Sequence, residues 1–159
     1  MTIDPIAHVV TIPDETGVDQ LGTFLDGLLE QSKTSLEAKV HLTFIQQALT
    51  LLAHRPLNRL KRDRIKLSIT IEQKEYTKEY QLVKPLAKKP IFELRYPMNS
   101  NEHFRALFFP VEYQEKQYYV FVKSFIKTKI PPQDETNLMR DLAYNMYVKV
   151  TRNPGRYLK

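Results

Sequence analysis

The chain has 159 residues, 42% of them hydrophobic and 26% charged, with a formal net charge of +6, which fits one domain of ordinary globular composition. The absence of cysteine excludes disulfides, thiol chemistry and any zinc site built on thiolate. No apolar run reaches membrane-spanning length, and the start MTIDPIAHVV lacks the basic-then-apolar pattern of a leader, so a cytoplasmic location is expected.

The positive balance leans towards an anionic partner such as nucleic acid or an acidic protein. Its distribution is uneven. Arg55, Arg59, Lys61, Arg62, Arg64 and Lys66 stand close together with Asp63 as the one acid among them, and the end of the chain carries Arg152, Arg156 and Lys159.

In chain order, Ile6 to Ile12 reads as a short first strand closed by Pro13, and Asp14 to Thr16 offer caps for a helix from Gly17 or Val18 to about Gln31. Val18, Leu21, Phe24, Leu25, Leu28 and Leu29 recur at three- and four-residue spacing and form its apolar stripe. Ser35 opens a second helix to about Ala53, carried by Leu36, Val40, Phe44, Ile45, Ala48, Leu49 and Leu52, and the short connection makes an antiparallel helical hairpin. Pro56 stops that helix. Ile65, Leu67, Ile69 and Ile71 then alternate with Lys66, Ser68, Thr70 and Glu72, a half-buried strand onto which Tyr76 to Val83 pairs back through a turn near Gln73-Lys74. Lys84 to Lys89 is a basic connection.

The stretch from Pro90 to Pro132 organises the rest. Ile91 to Arg95, Phe104 to Phe109 and Tyr118 to Phe125 are aromatic and β-branched segments joined by short linkers, which predicts an antiparallel meander. After Pro131-Pro132, the acids of Gln133-Asp134-Glu135 suit a first helical turn. Leu138, Leu142, Met146 and Val150, with Met139, Ala143 and Tyr147 beside them, carry that helix until Asn153-Pro154-Gly155. The expected fold is α+β in two layers: an N-terminal helical hairpin, the meander and a C-terminal helix.

Alternation places Glu93 with Arg95 and His103 with Arg105, and groups Phe121, Lys123 and Phe125 on the third strand. With the strands side by side, Arg95, Arg105 and Lys123 line one exposed polar face ending at Lys127. Fixed cations of this kind suit a phosphodiester, because guanidinium binds phosphate bidentately and stabilises charge that builds on its oxygens. RNA gives such a site an accessible reaction, since the 2′-hydroxyl attacks its own adjacent phosphate and a lysine or histidine can move the protons. The bland alternative is a solvated strand face, with Glu93 pairing a neighbouring cation and His103 at a loop edge. Tyr96, Tyr113, Tyr118, Tyr119, Tyr144 and Tyr147 are candidates for stacking on bases or for the core. His8, His41 and His54 show no metal-ligand spacing, and no glycine-rich phosphate loop is present.

The run PLAKKPIFELRYP, HFRALFFP, YYVFVKSFIKT and PPQDE, over residues 84–147, resembles the phage-derived branch of the RelE/HigB-like toxin family. That branch shows a leucine-containing lead-in, a Glu-Leu-Arg strand, an aromatic–Arg–small–Leu–aromatic strand, and an apolar strand ending in a lysine doublet before a proline and an acidic helix start. Leu86, Glu93-Leu94-Arg95, Phe104 to Phe108, Phe125-Ile126-Lys127, Pro132 and Glu135 stand at those places. The resemblance implies a single RelE-like domain over residues 1–159 and a metal-independent endoribonuclease without cofactor. Such toxins cut messenger RNA in the ribosome and are neutralised by a cognate antitoxin. It also implies catalytic roles for Arg95, Arg105 and Lys127, with Lys123, Lys84, Lys88, Lys89 and His103 on the RNA. Thr128 replaces the second lysine of the doublet, the hairpin at 65–83 exceeds the family pattern, and the general acid and base are unassigned. The alternative is a phage or mobile-element protein of the same fold that binds RNA or a protein without turnover.

Overall fold

The computed structural model describes residues 4–128 and 135–158; Pro131, Pro132 and the Gln133-Asp134 pair of the expected helix start lie outside them. Strand β1 (His8–Thr11) leads to helices α1 (Gln20–Ser32) and α2 (Leu36–His54) and a short α3 (Leu57–Leu60). Strands β2 (Arg64–Ile71), β3 (Lys74–Gln81), β4 (Val83–Pro85), β5 (Phe92–Pro97), β6 (Glu102–Tyr113) and β7 (Lys116–Thr128) follow, then α4 (Glu135–Arg152) and α5 (Pro154–Tyr157). The fold is mixed α+β. None of the described helices is long and apolar enough to cross a membrane.

The helix starts are built by side chains that accept from free backbone N–H groups. Ser35 caps α2 through the Ala38 N–H, as its position suggests. α1 begins later than expected, because Asp19 rather than Asp14–Thr16 provides its cap, on the Gly22 N–H. Val18 and Leu29 of the expected stripe are exposed. Pro56 ends α2 but opens α3 within the basic stretch.

Five strands form one sheet in the order β1-β7-β6-β5-β4, with β1 parallel to β7 and the other pairs antiparallel. β5, β6 and β7 are the expected meander. β2 and β3 form a separate two-stranded sheet, the hairpin foreseen from the period-two pattern. Their turn holds Glu72 and Gln73 at positive φ, and Gln114 and Glu115 do the same between β6 and β7. Both are the tight two-residue connections that match strand twist.

The expected two layers become three, because both faces of the large sheet are buried. On one face Leu94, Tyr96, Phe104, Ala106, Phe108 and Phe121 pack with α1, α2 and the β2–β3 hairpin. On the other, Leu107, Phe109, Val111, Val120, Val122 and Phe125 pack with Ala143, Met146 and Val150 of α4. The stripe of α4 is rotated from the expected one, and Leu138 is exposed. A register shift at Leu107/Phe108 skips Val122, so Leu107 faces Lys123 while Phe108 faces Phe121. This bulge breaks the strict alternation of β7. Phe121 therefore joins the helical-hairpin face, while Lys123 and Phe125 share the α4 face.

Candidate functional site

The meander sets Arg95 directly across from Arg105, and Arg105 across from Phe125. The next rung carries Pro97, His103 and Lys127, and the previous one Lys84, Glu93, Leu107 and Lys123. Directly opposed residues share a face, so Arg95, Arg105, His103, Lys123 and Lys127 do lie on one side of the sheet. That side is not the open polar surface expected from the pattern, because α4 and the segment after β1 cover much of it.

Glu93 is the centre of the arginine pair. Its Oε1 lies 2.9 Å from Arg105 Nη1 and 3.3 Å from Arg95 Nε. Glu93 and Arg105 are buried, whereas the Arg95 side chain is 28% exposed. Burial lowers the pKa of the Arg105 guanidinium from its ordinary value, the Glu93 carboxylate opposes that shift, and Arg95 adds to it. Such a pair holds its geometry because either ion alone would be desolvated without compensation.

Arg95, Tyr96, Pro97, His103 and Arg105 line a cleft of about 260 Å³ at the β5 edge, closed on its other side by Arg64, Tyr80 and Gln81 of the hairpin. Three guanidiniums meet there, and two of them, those of Arg95 and Arg105, are ion-paired with Glu93. Two buried polar atoms of cleft residues, Arg105 Nε and Tyr80 Oη, have no hydrogen-bond partner among the described residues. Burial raises the pKa of the Tyr80 phenol, so it stays a neutral donor. Both atoms are shielded from solvent, so the donors that can meet the oxygens of an anion are the more exposed guanidiniums of Arg64 and Arg95.

Lys123 is not available to RNA. Its Nζ contacts Asp14 Oδ2 at 2.8 Å and Glu15 Oε1 at 2.6 Å, and its side chain is 3% exposed. Asp14, expected as a helix cap, is instead the buried anchor of this group, also accepting from Thr16, Val18 and Gln20. Lys127 is half-buried beside His103, and Lys84 is exposed across from Glu93. Lys88 turns away to α4, 4.0 Å from Asp141 and over the Tyr144 ring. Lys89 is exposed and does not line the cleft. Tyr96, Tyr118 and Tyr119 are buried, and Tyr113, Tyr144 and Tyr147 pack partly against the α4 core. No stacking platform arises from these six.

Arg64, Tyr80, Gln81 and Pro97 are cleft residues that the sequence reading did not place at the site; Arg64 was one cation among six in a segment remote from the meander. Alternation along β2 placed it on the outer face of that strand, but its approach to β5 depends on how the hairpin docks. A larger groove between α2 and β2, lined by His54, Arg55, Ile65 and Lys66 among others, gathers no comparable set of converging donors. Among the described residues, no group of His, Asp and Glu is arranged to hold a metal ion. Comparisons with protein-family models, with curated proteins and with solved structures found no match.

Proposed function

We propose that the protein binds RNA in the arginine cleft and cleaves it as a RelE/HigB-like messenger endoribonuclease, acting at the ribosome as the toxin of a type II toxin–antitoxin pair. The observation that carries this reading is the cross-strand Arg95–Arg105 pair, fixed by Glu93 and facing a cleft that Arg64 and His103 complete. Arg95 and Arg105 hold and neutralise the scissile phosphate, whose developing charge fixed guanidiniums stabilise without reorganising. The RNA 2′-oxygen attacks the adjacent phosphorus as the bond to the 5′-oxygen breaks, leaving a cyclic phosphate and a 5′-hydroxyl. One proton leaves the nucleophile and one reaches the leaving oxygen. We assign these transfers to His103, which lines the cleft, and to Lys127, which opposes it on the neighbouring rung.

A second reading keeps the cleft and drops the chemistry: a phage or mobile-element protein that binds RNA or a protein partner without turnover. Glu93 favours it, because a carboxylate between two guanidiniums already satisfies charge that a phosphate would otherwise take.

Induced expression in a bacterial host separates the two. Wild type is compared with Arg95→Ala and with Arg105→Lys, chosen because Arg105 is buried and its truncation endangers the fold. Growth arrest with new messenger 5′ ends, both lost in soluble variants, is the expected result. Unimpaired growth with unchanged RNA ends from soluble wild type selects the second reading. Cleavage intact in both variants removes the two arginines from the site.

A further inference from the structure

Between Arg55 and Lys66 every one of the six cations is exposed, and among the described residues none forms an ion pair. Arg95, Arg105 and Lys123 behave differently, each resting on a carboxylate. Uncompensated like charges on a short segment repel one another and gather counter-ions, which an anionic polymer displaces on binding.

The segment is held next to the cleft. Arg64 lines the cleft directly, with Nη2 donating to the Glu79 carbonyl at 2.9 Å. Gln81, another lining residue, donates its side-chain amide to the Lys61 carbonyl at 3.0 Å. Arg62 Nε is tied to the Asn58 carbonyl at 3.1 Å, which places that guanidinium on the α3 turn. Lys66 stands apart, because it sits across from Glu79 in the hairpin and has opposite charge at hand.

We propose that Arg59, Lys61, Arg62 and Arg64 form a track along which single-stranded RNA runs out of the arginine cleft. The inference rests on the cleft being a phosphate site and names the path of the chain beyond it. A cleft of this size admits a backbone phosphate with its sugar rather than a duplex. The segment 55–66 contains no aromatic residue, so the track touches phosphates and not base faces and tolerates any sequence.

The test uses the full chain and labelled oligouridylate and oligoadenylate of about twelve nucleotides, within the span of single-strand binding sites. Fluorescence anisotropy is followed over a salt series for wild type and for Arg59→Gln/Lys61→Gln/Arg62→Gln, with thermal unfolding to confirm that the variant is folded. An Arg59→Glu/Arg62→Glu variant provides a second route if the triple variant is unfolded. Each lost phosphate contact lowers the log–log salt slope by about 0.7 for a single strand, so the triple variant is expected to lose about 2 in slope and about tenfold or more in affinity, alike for both sequences. An unchanged slope and affinity overturn the track and leave the cleft standing. If Arg95→Ala leaves RNA cleavage intact while the triple variant weakens binding, the cleft reading falls and the track falls with it as a path out of the cleft. Wild type that ignores both oligonucleotides, or prefers duplex DNA or an acidic protein, overturns the track.

Discussion

Glu93 shows at the scale of single residues how charge is held inside this molecule. Its carboxylate has a buried partner in Arg105 and a half-exposed one in Arg95. Arg105→Ala leaves that carboxylate buried with the weaker partner alone, and a loss of about 3 kcal/mol is expected. Arg95→Ala removes the solvated partner and should cost about 1 kcal/mol or less. Urea unfolding of the two variants measures the difference, and equal losses would mean that Arg105 is not the main support of Glu93. Asp14 makes a prediction about pH. Burial alone would raise its carboxyl pKa, but the Lys123 ammonium, both donors of Thr16 and the Val18 N–H outweigh it and hold the pKa well below the ordinary 3.8. A depressed native pKa means that the unfolded chain takes up the proton first, so this contribution is fully present above the ordinary value and is lost as pH falls through and below it. Stability followed from neutral pH down to about pH 2 should therefore fall more steeply below about pH 4 in wild type than in Asp14→Asn. The variant starts lower because Lys123 loses a buried partner. Parallel pH curves would remove Asp14 from acid unfolding.

At the scale of elements, the two tight turns carry a cost that the strands overcome. Glu72, Gln73, Gln114 and Glu115 all sit at positive φ, where an L side chain is crowded and Asn-Gly is favoured. Replacing Glu72-Gln73 by Asn-Gly should raise stability by about 1 kcal/mol, read as a higher urea midpoint with unchanged slope. A lower midpoint would mean that these side chains make contacts worth more than the strain. The hairpin is also pinned to the large sheet. Lys78 donates to the Pro97 carbonyl at 2.6 Å and lies over the rings of Phe44 and Tyr96. His41 Nδ1 meets Tyr96 Oη at 2.6 Å on the same face. These contacts hold Arg64 and Tyr80 beside β5, so the shape of the cleft depends on an element outside the meander.

The whole molecule is a sheet buried on both faces, and that decides which apolar residues matter. Met146 is buried against the sheet while Leu138, on the same helix, is 59% exposed. Met146→Ala should cost about 2–4 kcal/mol through a cavity, and Leu138→Ala should stay within about 0.5 kcal/mol. Similar losses would mean that α4 covers the sheet with a different stripe. Burial on the second face also explains why the cleft between the arginines lies at the end of the sheet, at Arg95, His103 and Arg105.

The three long helices, the meander, the hairpin and the α+β class followed from the sequence, because three- to four-residue and two-residue periodicities are local and survive any tertiary arrangement, whereas the single-turn α3 and α5 carry no such periodicity. The adjacency of Arg95 and Arg105 was equally legible, since consecutive strands with short linkers pair as neighbours. Periodicity assigns side chains to a face without saying what covers that face. Only tertiary structure decided that Lys123 would be claimed by Asp14, 109 positions away. Tertiary packing also set α4 against the presumed open side and brought Arg64 across to the cleft. Those outcomes depend on which desolvated charge finds which partner and on how separate layers dock, and both are settled by long-range packing.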